Sequence, residues 1–529
     1  MTTQYLAQWA KLSPPEQQKV AKSFLENYAQ LPHAELGEQI EKMVQLTTLT
    51  GAATAIICAR AARTLLSHKI ILKLFDVLSW AMKERTEILE QLTSVLRQFT
   101  VVAGFVDNQL FPVMLQQDLL TFSVRTIKKI SKMADNVIDP AASANLLAVI
   151  TSLSDPVQGK DELTLLRNAE KLIDFDIRLM LSNSDTFICS QALRNIEYIR
   201  PYASEGWKDK LVDRMVEPSV WNRLLKYLEE DEEVLQEVSL SLLGDIAFAK
   251  ASPVLAILPI ILKTMQETSS QVVRQDAIKC VAGVLTSGSQ EERATLVGSG
   301  GMKVLDHIRE EVTAQQTFVG QALAELLDKG FLEQVLAYRP SIVNDVCYLF
   351  HFYHSADGSD DAAPRAFIHS SNCLINLSKG NKERSLQIIQ SGVPISLWKA
   401  CFNPVLTELL GGESNLQNHL LILDSILRLA RPEEMEKMER QNRAIASRIP
   451  NRIRDVDRLR QAMGGMGITV SEPVLHSMYN PEIMQHVCLT CGLKNPGKRC
   501  SKCSAAAYCS RECQVKDWPT HKRICKPSK

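Results

Sequence analysis

Two features of the sequence predict an all-α chain built from repeated helix pairs and closed by a small module of a different kind. Blocks of helix-periodic apolar residues return at fixed offsets along the body, and seven of the thirteen cysteines stand in the last forty-two residues. Composition agrees. Hydrophobic residues at 45% and charged residues at 23% are ordinary globular values, and an aromatic share of 6% leans toward helix rather than sheet. A chain of 529 residues exceeds what one hydrophobic core organises, so several domains or an extended array are expected.

The repeats are legible in two places. VLQEVSLSLLGDI (234–246) lies without a gap over VRQDAIKCVAGVL (273–285), matching Gln236 with Gln275, Glu237 with Asp276 and Gly244 with Gly283, at an offset of 39. LTSGSQEERATLVGSGGMKVL (285–305) lies over LSKGNKERSLQIIQSGVPISL (377–397), at an offset of 92, about two repeats with a divergent copy between. In each copy an apolar helix ends in a small polar turn, a second helix follows, and a Ser-Gly break precedes the next apolar run. Glycine suits the left-handed turn after a helix. One such pair cannot cover both of its apolar faces, so neighbours are expected to stack. The segments ALRNI, VLTSGSQEERATLVGSGG and LINLSKGNKERSLQIIQSGV resemble armadillo repeats, with HEAT repeats the near alternative.

That resemblance implies an armadillo/HEAT-like α-solenoid over 39–430, after an N-terminal helical segment at 1–38. From about residue 39 to 228 the copies are degenerate and their register stays open. In armadillo proteins an asparagine late in the third helix of a repeat binds an extended peptide in the groove. Asn195 and Asn376 match that place, while Asp245 and Val284 depart from it, so no regular asparagine ladder is expected. DPVQGKDE (155–162) and the acidic HSADGSDDAAP (354–364) read as exposed loops. RPEEMEKMERQNRAIASRIPNRIRDVDRLRQ (431–461) reads as a solvated charged helix broken near Pro450. A flexible GGMGITVSEP follows it, making 431–485 a linker.

Charge and hydropathy exclude several function classes. Sixty basic residues balance sixty acidic ones, so the whole chain has no bias toward nucleic acid or anionic membrane. The most apolar stretch, VLAILPIIL (254–262), is broken by Pro259 and far shorter than the roughly 20 residues of a membrane span. It reads as a buried solenoid helix. The N-terminus lacks the basic and apolar regions of a signal peptide. A cytoplasmic and/or nuclear location is therefore expected. Cys58, Cys189, Cys280, Cys347, Cys373 and Cys401 sit singly on apolar stretches and read as small buried hydrophobes.

The clustered cysteines carry the chemistry. The tail, 486–529, reads Cys488-x2-Cys491-x8-Cys500-x2-Cys503-x5-Cys509-x3-Cys513-x7-His521-x3-Cys525. Cys-x2-Cys lets two thiolates of one tight turn reach one ion, and the x3 spacings put ligands on successive turns of a helix. Eight soft or borderline ligands fill two tetrahedral zinc sites. In a reducing compartment such clustering points to metal rather than disulfides. With every position filled by protein, no site is left for an activated water, so both Zn2+ ions are expected to be structural. They replace a core that so short a segment cannot supply. Spacing alone leaves open whether the ligand pairs are used in sequence or interleaved.

Order and spacing, with Tyr508 before the fifth ligand and CQVKDWPTHKRIC closing the set, resemble the MYND zinc finger. The resemblance implies interleaving, with Cys488, Cys491, Cys509 and Cys513 on one ion and Cys500, Cys503, His521 and Cys525 on the other. It also implies binding of a short proline-containing peptide through Ser501, Gln514 and Trp518. An aromatic face stacks on proline and an amide fixes the peptide backbone. Ten basic residues against two acidic ones from His486 onward favour acidic flanks on such a peptide, and no base-reading element is found.

These features predict a non-enzymatic adaptor, with one partner on the solenoid and a proline-containing peptide at the finger. Ubiquitin-ligase association and transcriptional corepression are settings in which such an adaptor would work. An assembly factor or co-chaperone for motor or ciliary complexes is the alternative. A remote one is a SET-type lysine methyltransferase, because MYND fingers occur in those enzymes and HSSNCLIN (369–376) is faintly similar to their Asn-His-Ser-Cys stretch.

Overall fold

The computed structural model describes residues 4–49, 52–130, 140–154, 160–230, 232–308, 318–353, 363–400, 403–409 and most of 420–443. Of the tail it describes 498–501, 507–512, 514, 515 and 518. The described residues are helical apart from short turns and one two-stranded ladder. They fall into two compact units, Met1–Ala249 and Lys250–Lys529. No described helix is long and apolar enough to cross a membrane.

In the first unit, five helices form an inner column: His33–Thr47, Leu89–Phe105, Pro140–Ser154, Thr186–Ile199 and Glu233–Ala249, each packed on the next. They begin at residues 33, 89, 140, 186 and 233, about fifty residues apart, which supplies the register the degenerate sequence withholds. Each of the last four pairs with a flanking helix before it: Ile70–Glu84, Leu119–Ile130, Ala169–Ser182 and Pro218–Glu229. The division of labour follows from composition. Pro140–Ser154 is apolar nearly all round, and every residue from Ala142 to Ile150 is buried. Leu119–Ile130 keeps Lys128 and Lys129 in its last turn and buries one face. Gln4–Lys11 and Pro14–Ser23 pack on His33–Thr47 and Ala52–Ser67 with Trp9 buried, so this N-terminal stretch forms the first layer of the stack.

The second unit repeats the arrangement with Gln271–Ser287, Phe318–Asp328 and Ala363–Ser378 packed in succession. The echo at an offset of 92 is structural. Ser289 and Asn381 both cap their helices with side-chain oxygens, and Gly300 and Gly392 both turn with positive φ, 91° and 89°. Arg293 and Arg384, one position out of register, each donate from Nε at 2.6 Å to the matched carbonyls of Leu285 and Leu377. Those carbonyls are orphans of a helix end.

Several local expectations need correction. The stretch 254–262 is not one helix but the end of Ala251–Ala256 and the start of Leu258–Glu267, broken at Ile257 where Pro259 starts the second helix. Residues 160–162 are not loop: they open the helix Lys160–Leu166, and Asp161 is buried with its carboxylate accepting from Thr121 Oγ1 at 3.2 Å. The remainder of 155–162, the acidic loop up to residue 362 and the linker beyond residue 443 lie outside the described residues.

The charged segment after residue 430 is not solvated throughout. The helix Pro432–Gln441 packs on Lys382–Gln390 and Val393–Ala400 with Met435 buried, and covers the end of the second unit's stack. Beneath it Arg428 donates from Nε to Asp424 Oδ2 at 2.7 Å and reaches Glu439 on the covering helix, while Trp398 Nε1 donates to Asp424 Oδ1 at 3.4 Å. Asp424 and Glu439 together hold the buried guanidinium protonated, far above its ordinary range.

Among the described residues several buried polar atoms have no hydrogen-bond partner, and one of them belongs to an ionisable carboxyl. Asp176, on Ala169–Ser182, is fully buried; Oδ2 accepts from Asn195 Nδ2 at 2.8 Å, and Oδ1 has no partner among the described residues. Burial pushes its carboxyl well above the usual carboxylate range, and the Asn195 bond offsets this only in part.

Two outcomes follow. Arg428→Ala leaves Asp424 buried without its cation and should cost about 3–5 kcal/mol in urea unfolding; a loss under about 1 kcal/mol would show that the covering helix does not depend on the pair. The raised folded-state value at Asp176 means that its contribution is fully present below the unfolded carboxylate value, about 3.9, and is lost as pH rises through the folded value. Asp176→Asn should therefore unfold with a flatter pH dependence than wild type above about pH 4. Superimposable profiles would place Asp176 outside the pH-linked stability.

Candidate functional site

The solenoid asparagines are placed differently from each other. Asn195 is fully buried. Its Nδ2 donates to Asp176, and its Oδ1 accepts from Thr151 Oγ1 at 3.3 Å, which ties three helices together. It is a packing residue rather than a groove residue, and the expectation is corrected on that ground. Asn376 is half-buried on Ala363–Ser378, with Oδ1 accepting from Lys379 Nζ at 3.1 Å.

What lines the inner column beside Asn195 is charge. Between Thr186–Ile199 and Glu233–Ala249, Arg194 pairs with Glu237 at 3.2 Å, Ser241 Oγ donates to Glu197 Oε1 at 2.5 Å, and Arg200 pairs with Asp245 at 3.0 Å. The three contacts are spaced by about one helical turn, so one face of each helix is stitched to the other. Burial raises the Glu237 carboxyl, with Arg194 working against the shift. Beside this seam a cleft of about 330 Å³ opens between the Arg200–Tyr202 turn and the helices Glu205–Met215 and Glu233–Ala249. Leu211, Met215, Leu242 and Ile246 are among its lining residues.

In the tail, β1 (Lys498–Arg499) and β2 (Ala507–Tyr508) pair antiparallel with Lys498 opposite Tyr508 and Arg499 opposite Ala507. That register sets Cys500 just beyond the turn end of the ladder and Cys509 just beyond its open end. They are offset by three residues, about 10 Å along the strands. A tetrahedral site with Zn–S bonds of about 2.3 Å cannot include both. Both expected ligand orders assign the two cysteines to different ions, and the offset agrees with that assignment. Cys500 is buried and Cys509 half-buried, as suits thiolates turned inward in a small module. The other six candidate ligands, Cys488, Cys491, Cys503, Cys513, His521 and Cys525, lie outside the described residues, and among the described ones no three ligand-type side chains converge.

The three expected peptide-contact residues are among the described ones. Ser501 is exposed in the turn after β1; Gln514 is half-buried, its backbone N–H donating to Ser510 O at 3.2 Å; Trp518 is 41% exposed. Tyr508 is fully buried, the one large aromatic that the described part of the tail hides. Val515, 63% exposed, stands three residues before Trp518 in the sequence, and both side chains are exposed. Sequence reasoning misses Val515, for which that spacing is the only signal. Lys498, Arg499 and Arg511 are exposed around the same ladder.

Known proteins resemble the two parts of the chain unequally. A solved structure concerning a phosphorylation switch in the interaction between cadherin and beta-catenin aligns with 89% of this chain and 100% of that chain, at 9% identity and a TM-score of 0.44. The chain is 52% identical over 40 residues to the Zinc finger MYND domain-containing protein 10 homolog of Drosophila melanogaster, covering 8% of this chain and 9% of the relative. It is 56% identical over 41 residues to the Histone-lysine N-methyltransferase SMYD3 of Homo sapiens, covering 8% and 10%. The chain thus spans a tenth or less of the length of these curated relatives. The sequence model of the MYND finger matches residues 487–525, and the tail of this predominantly helical chain is a MYND zinc finger.

Proposed function

We propose that the chain is a non-enzymatic protein–protein adaptor whose helical body docks one partner while the finger reads a short proline-containing peptide. The observation that carries the reading is the exposure of two large apolar side chains of the finger, Val515 and Trp518, while Tyr508 is buried. A module this small exposes a tryptophan at a cost, and an indole face held on fixed backbone is a stacking platform for proline. Ser501 and Gln514 would add hydrogen-bonding groups, and Lys498, Arg499 and Arg511, all exposed, would supply positive potential for acidic flanking residues. Two such sites on one chain raise each other's effective concentration.

In this reading the finger is held by two structural zinc ions. Cys488, Cys491, Cys509 and Cys513 would hold one; Cys500, Cys503, His521 and Cys525 would hold the other. The ions supply fold and no reaction chemistry. The segment 369–376, faintly similar to methyltransferase sequence, lies within the helix Ala363–Ser378 with Cys373 buried, which argues against a SET-type site there. A cytoplasmic or nuclear setting suits a thiol-rich zinc module. Ubiquitin-ligase association, corepression and assembly of motor or ciliary complexes are all compatible settings for such an adaptor.

Trp518→Ala, at unchanged zinc content, should weaken a proline-rich peptide by about 2 kcal/mol, some thirtyfold; equal affinity would make Trp518 a packing residue and sink the finger reading. Chelation should abolish peptide binding while leaving the main helical melting transition in place. Peptide binding that survives complete zinc removal would contradict a metal-held reader.

A further inference from the structure

The inner column of the first unit carries a cation to which the described residues offer no counter-charge. Arg97, on Leu89–Phe105, is half-buried, and among the described residues no carboxylate pairs with it. Its contacts are neutral. Nη1 donates to Asn145 Oδ1 at 3.3 Å, and the guanidinium sits 4.6 Å from the ring centroid of Phe187. Glu90, two turns back on the same helix, is exposed and makes no ion pair with it. Arg194 and Arg200, further along the column, are each matched to a carboxylate.

The setting of Arg97 is built. Asn145 is buried on Pro140–Ser154, and its Nδ2 donates to Thr93 Oγ1 at 3.3 Å and to the Glu90 carbonyl at 3.4 Å, which fixes Oδ1 toward the guanidinium. Phe187 belongs to Thr186–Ile199, two layers along the column from Arg97. The helix between them opens with Pro140-Ala141-Ala142-Ser143-Ala144, whose small side chains let the arginine reach across. Burial lowers its pKa from the ordinary arginine value, with no compensating charge. A half-desolvated guanidinium held by an amide and an aromatic face leaves its Nε and Nη2 edge available for a planar bidentate acceptor.

We propose that Arg97 anchors a carboxylate side chain from an acidic segment of a partner protein, with the Phe187 ring contacting the residue beside it. The inference rests on the reading that the helical body docks a partner, and it states that partner's chemistry. A carboxylate fits better than a phosphate. One guanidinium matches one carboxylate in charge and in its two parallel hydrogen bonds, whereas a dianion calls for further cations, and Arg194 and Arg200 are already paired.

The test titrates the full-length, zinc-loaded chain with a fluorescein-labelled glutamate-rich peptide, its glutamine counterpart and its phosphoserine counterpart. The glutamate peptide should bind with an affinity that falls as salt rises, the glutamine peptide about tenfold more weakly. Arg97→Met should lose about tenfold for the glutamate peptide and Trp518→Ala nothing. Phe187→Leu keeps the charge and removes the ring, and should lose about threefold even if Arg97→Met fails to fold. Any of four results overturns the inference: unchanged affinity in folded Arg97→Met, unchanged affinity in Phe187→Leu, equal binding of the glutamine peptide, or tighter binding of the phosphoserine peptide. If wild type and Arg97→Met both retain a cellular partner yet neither binds the glutamate peptide, the inference falls and the docking role stands. If no form retains a partner through the helical body, the docking role itself falls.

Discussion

Burial of the inner helices on every side is the constraint from which the rest follows. A helix such as Pro140–Ser154, buried continuously from Ala142 to Ile150, cannot be covered by the single flanking helix that precedes it. It needs a layer on each side, and each of those layers has the same need. The array therefore raises a problem at its ends, which must present an outer face that tolerates water. In the first unit the N-terminal helices around Trp9 cover the opening layer. In the second, Pro432–Gln441 buries Met435 and turns its many charges outward. The ionic cluster of Asp424, Arg428 and Glu439 joins that cover to the stack.

The same constraint dictates where polar groups appear. Helices wedged between layers have few directions in which a polar side chain can find a partner, so those present are committed to one another. Asn195 bridges Thr151 and Asp176, and Arg194, Glu197 and Arg200 are matched by Glu237, Ser241 and Asp245. Against that background Arg97 differs in kind. Its surroundings are as organised as those of its neighbours, but the charge that would complete them is not supplied by the described residues. A desolvated cation with its partner missing costs free energy in the unbound protein, and a bound carboxylate would recover it.

How much of this was legible in the sequence depends on what each signal measures. The echo at an offset of 92 was readable because it consists of caps and a left-handed glycine, Ser289 with Asn381 and Gly300 with Gly392, whose chemistry is local. The register of the first unit was not, because connections of differing length separate inner helices whose only shared property is being apolar. Asn195 was misread for a geometric reason. Successive helix residues point about 100° apart, so a motif match right to within one position still chooses between the seam, where Arg194 lies, and the layer interior, where Asn195 lies. Pro432–Gln441 was read as solvated because a helix covering the end of a stack needs only one apolar contact, Met435, among its charges. In the tail the MYND finger at 487–525 was legible from cysteine and histidine spacing, since metal geometry is imposed on the sequence directly. Val515 was not, because an exposed apolar residue carries no pattern of its own.

The two binding surfaces argued for this chain draw on opposite physics, and this bears on how one adaptor holds two partners. At the finger, Trp518 and Val515 offer apolar area, so the share of affinity they would contribute comes from desolvation and is little affected by salt. At Arg97 the attraction is between charges, acts at longer range and is screened within roughly 8 Å at physiological ionic strength. Charge chiefly governs the rate of encounter, and packed aromatic contacts govern the rate of release. A partner presenting an acidic segment would be captured quickly by the helical body and released readily. A proline-containing peptide seated on the indole would be held longer. An adaptor divided in this way would keep one partner resident and exchange the other, with ionic strength acting more strongly on the helical body than on the finger.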